Sequence, residues 1–147
     1  MNLTKHFTLE EMVHSQTASR LGIKNEPNQQ QIDSMILLCQ RILEPVRVYF
    51  DKFVIVDSGF RCKELNDAVP NSSKTSQHPL GEAADIVVSG TSVLDVFNFI
   101  KDNLEFDQVI YEIKWTHVSY KKGNNRKQIL EATFINGKVH YNEWRKT

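Results

Sequence analysis

Between Asn28 and Val46 the apolar residues recur at helical spacing: Ile32, Met35, Ile36, Cys39, Ile42, Leu43 and Val46. This pattern predicts one long helix with a single buried face. Asn28, with Gln31 three residues later, marks its start, and Pro45 is expected to kink or restart it near its end. A shorter helix is predicted upstream. Thr8-Leu9-Glu10-Glu11 reads as a capping box, with Phe7 and Met12 placed to staple it, and the helix should run to about His14 or Ser15. The stretch from Gly22 to Pro27 reads as a loop.

From Phe53 the pattern changes. Phe53-Val54-Ile55-Val56 is a short apolar run rich in β-branched residues and predicts a buried strand. It leads into Asp57-Ser58-Gly59-Phe60-Arg61, where Gly59 permits a sharp turn. A short helix is expected over Lys63 to Ala68, and Pro70 to Lys74 is rich in turn formers. Ala83 to Val88 reads as a second strand ended by Ser89-Gly90. Thr91 or Ser92 then caps a helix with Val93, Val96, Phe97 and Ile100 on one face. Gln108 to Ile113 and His117 to Tyr120 read as two strand segments, and Gly123-Asn124-Asn125 as a turn. Gln128 to Ile135 and Lys138 to Tyr141 flank Asn136-Gly137, a strong hairpin signal. Helices come first, then strands with one helix between them. The expected class is α+β, with N-terminal helices packed on a mainly antiparallel sheet, not a doubly wound one.

The length of 147 residues suits a single domain, 1–147, with one core and no internal repeat or linker. Lys plus Arg and Asp plus Glu both number 18, so the formal net charge is zero. That disfavours a broad basic patch and gives no sign of a nucleic-acid partner. Cys39 lies on the apolar helix face, and Cys62 has no Cys or His near it at zinc-finger spacing; both are expected to be reduced structural thiols. Met1 to Glu11 has no apolar core of a signal peptide, and no run approaches about 18 apolar residues. The expectation is synthesis in the cytoplasm, no membrane span, and a monomer.

Asp85 is the first anomaly. It sits in Ala83-Ala84-Asp85-Ile86-Val87-Val88, where an unpaired carboxylate would cost several kcal/mol or become protonated. It needs a cation, either Lys or Arg in an ion pair or a metal. His78 shifts the balance, because Pro79 and Gly81 can turn the chain so that His78 lies near the start of the Asp85 strand. Imidazole and carboxylate at such a bend suit a divalent transition metal, zinc most simply. His117, on another apparent strand, supplies a third ligand and leaves a fourth position for water, the pattern of catalytic zinc sites. His6, His14 and His140 have no such context.

These residues form Ser76-x-His78-x-x-Gly81-x-Ala83-x-Asp85, which resembles the S-x-H-x-x-G-x-A-x-D signature of the zinc D-Ala-D-Ala carboxypeptidase family, peptidases that share the hedgehog fold. Trp115-x-His117 resembles the family's second signature. Ser58-Gly59-Phe60-Arg61, followed by Leu65-Asn66, resembles its S-G-Y/F-R element. Phe7 to Met12 looks like the start of small stand-alone members common in phages and prophages. The resemblance spans roughly Phe7 to Tyr120. It implies that His78, Asp85 and His117 bind Zn2+ and that Arg61 binds a substrate carboxylate or the developing oxyanion. Ser76 and Gln77 are candidates for orienting His78 or the substrate, with simple turn formation as the alternative. Family members commonly place a Glu three residues before the last histidine; here that position is Lys114, and the nearest carboxylate is Glu112. In an unbroken strand Glu112 and His117 would face opposite sides, so a bulge or turn near Lys114 and Trp115 is expected to bring them together.

The implied activity is metal-assisted hydrolysis of a peptidoglycan stem or cross-link peptide by a carboxypeptidase or an endolysin-type endopeptidase, with Glu112 as general base. The displaced carboxylate keeps a second class open, a zinc-bearing binding module without catalysis. A structural component of a phage particle is a third. In each peptidase reading the protein meets its substrate once it is released or exported to the cell wall.

Overall fold

The capping box at Thr8 opens the first helix as predicted. The Thr8 hydroxyl accepts the Glu11 N–H, and the Glu11 carboxylate accepts the Thr8 N–H at 2.7 Å. In this computed structural model, residues 1–70 and 72–145 are described. Asn71, in the turn-rich stretch from Pro70 to Lys74, and Lys146 and Thr147, at the end of the expected domain, lie outside the described residues.

Helix α1 (Leu9–Val13) is followed by a helix the pattern did not announce, α2 (Gln16–Leu21). Ser15 caps it, and Gly22 ends it in the left-handed region at φ 69°. Six residues with one buried position, Ala18, are too few to display a helical period. Asn28 and Gln31 form a second capping box at the start of α3 (Gln29–Leu38). The chain then passes through a π-helical turn, Cys39–Leu43, into α4 (Glu44–Phe50). Pro45 has no N–H to donate, and the wide turn just before it re-registers the helix, so the expected restart occurs without a break in the buried face.

The rest of the chain is β1 (Val54–Ser58), α5 (Lys63–Ala68), a 3-10 turn (His78–Leu80), β2 (Ala83–Val88), α6 (Val93–Asn103), β3 (Gln108–Tyr111), β4 (Thr116–Ser119), β5 (Gln128–Ile135) and β6 (Lys138–Glu143). Ser92, not Thr91, caps α6 by accepting the Asp95 N–H. The strands form one sheet in the order β1-β2-β4-β3-β5-β6, antiparallel except for β3 with β5. The class is therefore α+β with a mostly antiparallel sheet, as the element order implied.

Strand pairing sorts the side chains by face. Ala84, Val118 and Val109 lie in one register row and pack with Met35, Leu38, Ile42, Phe97 and Ile100 in the core. The neighbouring row, Ser58, Asp85, His117, Ile110 and Leu130, falls on the other face. One expectation is corrected at β1. It is an edge strand with Val54 buried but Ile55 and the preceding Phe53 exposed, because only one of its faces meets the core. Cys39 and Cys62 are both free thiols. No helix among the described residues is long and apolar enough to cross a membrane.

The parallel β3–β5 junction is pinned by fully buried Asp107, which accepts the Arg126 N–H at 2.9 Å and its guanidinium at 2.7 Å. Asp107→Ala is expected to cost about 2 kcal/mol in urea unfolding, since the Arg126 N–H and guanidinium lose their charged acceptor. Burial alone would raise the Asp107 pKa, but the Arg126 hydrogen bonds outweigh it and lower it. The contribution is thus complete above the unfolded value of about 4 and fades as pH falls through the lowered one. Wild type and variant should converge in stability at low pH.

Candidate metal centre

Asp85 and His117 are register partners on adjacent antiparallel strands, and His117 Nδ1 lies 2.8 Å from Asp85 Oδ1. His78 arrives from the 3-10 turn. Its Nε2 lies 3.5 Å from Asp85 Oδ2. Its Nδ1 lies 2.6 Å from the Gly59 carbonyl oxygen. A carbonyl can only accept, so Nδ1 carries the proton and Nε2 presents its lone pair toward Asp85. That is how a metal-binding histidine is ordinarily oriented by a second partner. One donor atom from each of His78, Asp85 and His117 lies within 4.8 Å of the others, so the cluster can hold a metal ion. Burial alone would raise the Asp85 pKa, but the charge and hydrogen bonds of the two imidazoles reverse it and hold the carboxyl well below the usual range. Burial keeps His78 low as well, favouring the neutral imidazole that a metal requires.

Backbone packing sets the position of His78. A Cβ on Gly59 would stand 2.4 Å from the Met12 carbonyl oxygen, and one on Gly81, at φ 74°, would stand 2.4 Å from the Gln31 carbonyl oxygen. Only glycine lets α1 and α3 approach the two segments that flank the histidine. Asn25 adds to this, donating to the Val13 and Phe60 carbonyls and accepting the Cys62 N–H. Ser76 accepts the His78 N–H at 3.1 Å, and the Gln77 amide reaches Glu82 at 3.1 Å. Both also line the cleft, so they build the turn and face any ligand. Gly59→Ala must displace the carbonyl that orients His78. Metal affinity is expected to fall about 10–100-fold, measurable by competition with a chromogenic chelator.

The cluster opens into a cleft of about 760 Å³. Arg61 lines it, with its Nε buried and without a hydrogen-bond partner among the described residues. Burial lowers the Arg61 pKa while Asp85 acts to raise it. Glu112 lines the cleft too, and the reason is local. Ile113, at φ 70°, and Lys114 form the tip of the β3–β4 hairpin, closed by the Glu112 N–H donating to the Trp115 carbonyl at 3.1 Å. Ile110 pairs with His117, and Glu112 is two residues beyond Ile110, so it shares their face. The expected turn near Lys114 is therefore present. Lys114 itself is exposed. Burial, aided by Asp85, raises the Glu112 pKa, while His117 and a Tyr141 hydroxyl 3.4 Å away oppose this. The spacing arguments passed over Trp115 and Tyr141, which also line the cleft. The hairpin signal at Asn136-Gly137 located the strand bearing Tyr141 but not the face it presents.

Residues 5–119 match the family model described as Peptidase M15. The chain belongs to the Peptidase M15 family. Comparison with curated proteins gives no match. The M15 match runs from before α1 to the end of β4, so it includes His78, Asp85, His117, Arg61 and Glu112; β5 and β6 lie beyond it. Membership implies a metallopeptidase, and M15 peptidases usually use zinc. The donor set, two imidazoles and one carboxylate beside an open cleft, fits such an ion.

Proposed function

We propose that this M15 chain is a zinc peptidase that hydrolyses peptide bonds in bacterial peptidoglycan. One observation carries the reading. The His78, Asp85 and His117 cluster shares a single cleft with Arg61 and Glu112, so metal donors, a cation and a carboxylate converge on the same space. His78, Asp85 and His117 would hold the zinc ion, which would supply Lewis acidity and acidify a water. Glu112, with its raised pKa, takes a proton from the attacking water and returns it to the leaving amine. Arg61 binds a substrate carboxylate or the charge that develops on the carbonyl oxygen. The Gly59 carbonyl keeps His78 in its ligating tautomer.

The experiment is mass spectrometry of muropeptides after digestion of purified peptidoglycan, with and without a chelator. New peptide termini that disappear with chelator and return with added zinc are expected, and their masses identify the bond. Unaltered muropeptides in the zinc-loaded reaction would refute the reading.

A further inference from the structure

The β5–β6 hairpin lies beyond the residues that match the family model, yet it supplies a large part of the cleft lining: Leu130, Phe134, Val139 and Tyr141. Asn136 at φ 52° and Gly137 at φ 76° make the tight turn whose twist suits a two-residue hairpin. That turn sets the register, pairing Phe134 with Val139 and Ala132 with Tyr141. Leu130 extends the same face into the row of Ile110 and His117. The apolar strip is thus continuous with the strand positions that carry the metal cluster.

Phe134 is 59% exposed and Tyr141 47% exposed. Single exposed apolar residues need no explanation, but an aligned strip lining a cleft marks a binding surface. Elsewhere the same cleft is lined by Ser72, Ser73, Thr75 and Ser76, groups suited to peptide N–H and C=O. Polar lining for the backbone and an apolar strip for a side chain are together what an extended peptide requires. Because the strip is held on a short-turned hairpin, little ordering cost attaches to its use.

We propose that this hairpin is a specificity wall, with Phe134 at its outer end contacting an aliphatic side chain of the bound peptide away from the scissile bond. The inference rests on the peptidase reading and assigns a residue to its substrate recognition. The test uses soluble muropeptides as the probe and compares Phe134→Ser, Phe134→Leu and Ile135→Ser. Ile135 is 55% exposed and follows Phe134 directly, so it loses similar apolar surface from the opposite face. Phe134→Ser is expected to raise KM about ten-fold with kcat within about two-fold, the scale of one lost apolar contact. Phe134→Leu should restore KM to within about three-fold, and Ile135→Ser should change neither constant. Equal behaviour of the two serine variants would overturn the proposal. If the wild type cleaves no muropeptide, the peptidase reading fails on its own, and calorimetric titration with the same muropeptides decides this one. About ten-fold weaker binding by Phe134→Ser alone supports the wall. Equal binding by both serine variants, or none by the wild type, overturns it.

Discussion

Asp85→Asn is expected to abolish zinc binding while leaving the fold intact. Asparagine has nearly the same shape, and the neighbours that pack the strand, Ala84 and Ile86, point into the core on the other face. What changes is charge. The carboxylate lies 2.8 Å from one imidazole and 3.5 Å from the other, and it is the only anion of the three candidate ligands. Losing a group that merely orients a ligand costs about 10–100-fold in metal affinity, so losing the anionic ligand should exceed about 100-fold. Elemental analysis after gel filtration should find one zinc per wild-type chain and less than about a tenth of that in the variant. Chelator should lower the melting temperature of wild type and leave Asp85→Asn unmoved, since only a protein that binds the ion is stabilised by it. One zinc per chain retained in Asp85→Asn would remove Asp85 from the ligand set.

The candidate metal cluster was legible because a carboxylate is costly where Asp85 stands. An unpaired carboxylate inside the apolar run Ala83 to Val88 would be costly, and that cost itself pointed to a cation. The choice between an ion pair and a metal rested on His78, whose neighbours Pro79 and Gly81 announced the turn that returns it to Asp85. The helices were legible from their caps and their period. Other features were not, for physical reasons. Gly59 and Gly81 announce conformational freedom, but their steric role depends on Met12 and Gln31, distant in the chain. Asn25 sits in a loop, where its three hydrogen bonds to Val13, Phe60 and Cys62 have no sequence signature. The parallel pairing of β3 with β5 is pinned where buried Asp107 meets the exposed Arg126 side chain, 19 residues away in the chain.

Glu112 shows how a local pattern can mislead until the strand ends are known. Counting back from His117 along one continuous strand puts Glu112 on the wrong face. Two strands joined through Ile113 and Lys114 reverse that result, because the parity is then counted from Ile110 along β3. The exposed lysine occupies the hairpin tip and has no part in the cleft lining.

Glu112→Gln is therefore expected to separate catalysis from metal binding. Glutamine retains the size of the side chain and its contact with the Tyr141 hydroxyl, but it cannot take a proton from water. If Glu112 is the general base, kcat for muropeptide hydrolysis should fall about 100- to 10,000-fold while zinc content stays at one per chain. Lys114→Ala should leave kcat within about two-fold because its side chain is solvated. The pair of variants discriminates between the two uses of a metal-bearing cleft. A catalytic site predicts a large loss in the first and none in the second, whereas a binding module predicts the same zinc content and no turnover in all three proteins. A zinc-loaded Glu112→Gln enzyme that keeps wild-type kcat would show that the proton leaves by another group. Burial and the neighbouring Asp85 raise the Glu112 pKa against the opposing pull of His117 and Tyr141, the direction that strengthens a carboxylate as a proton acceptor.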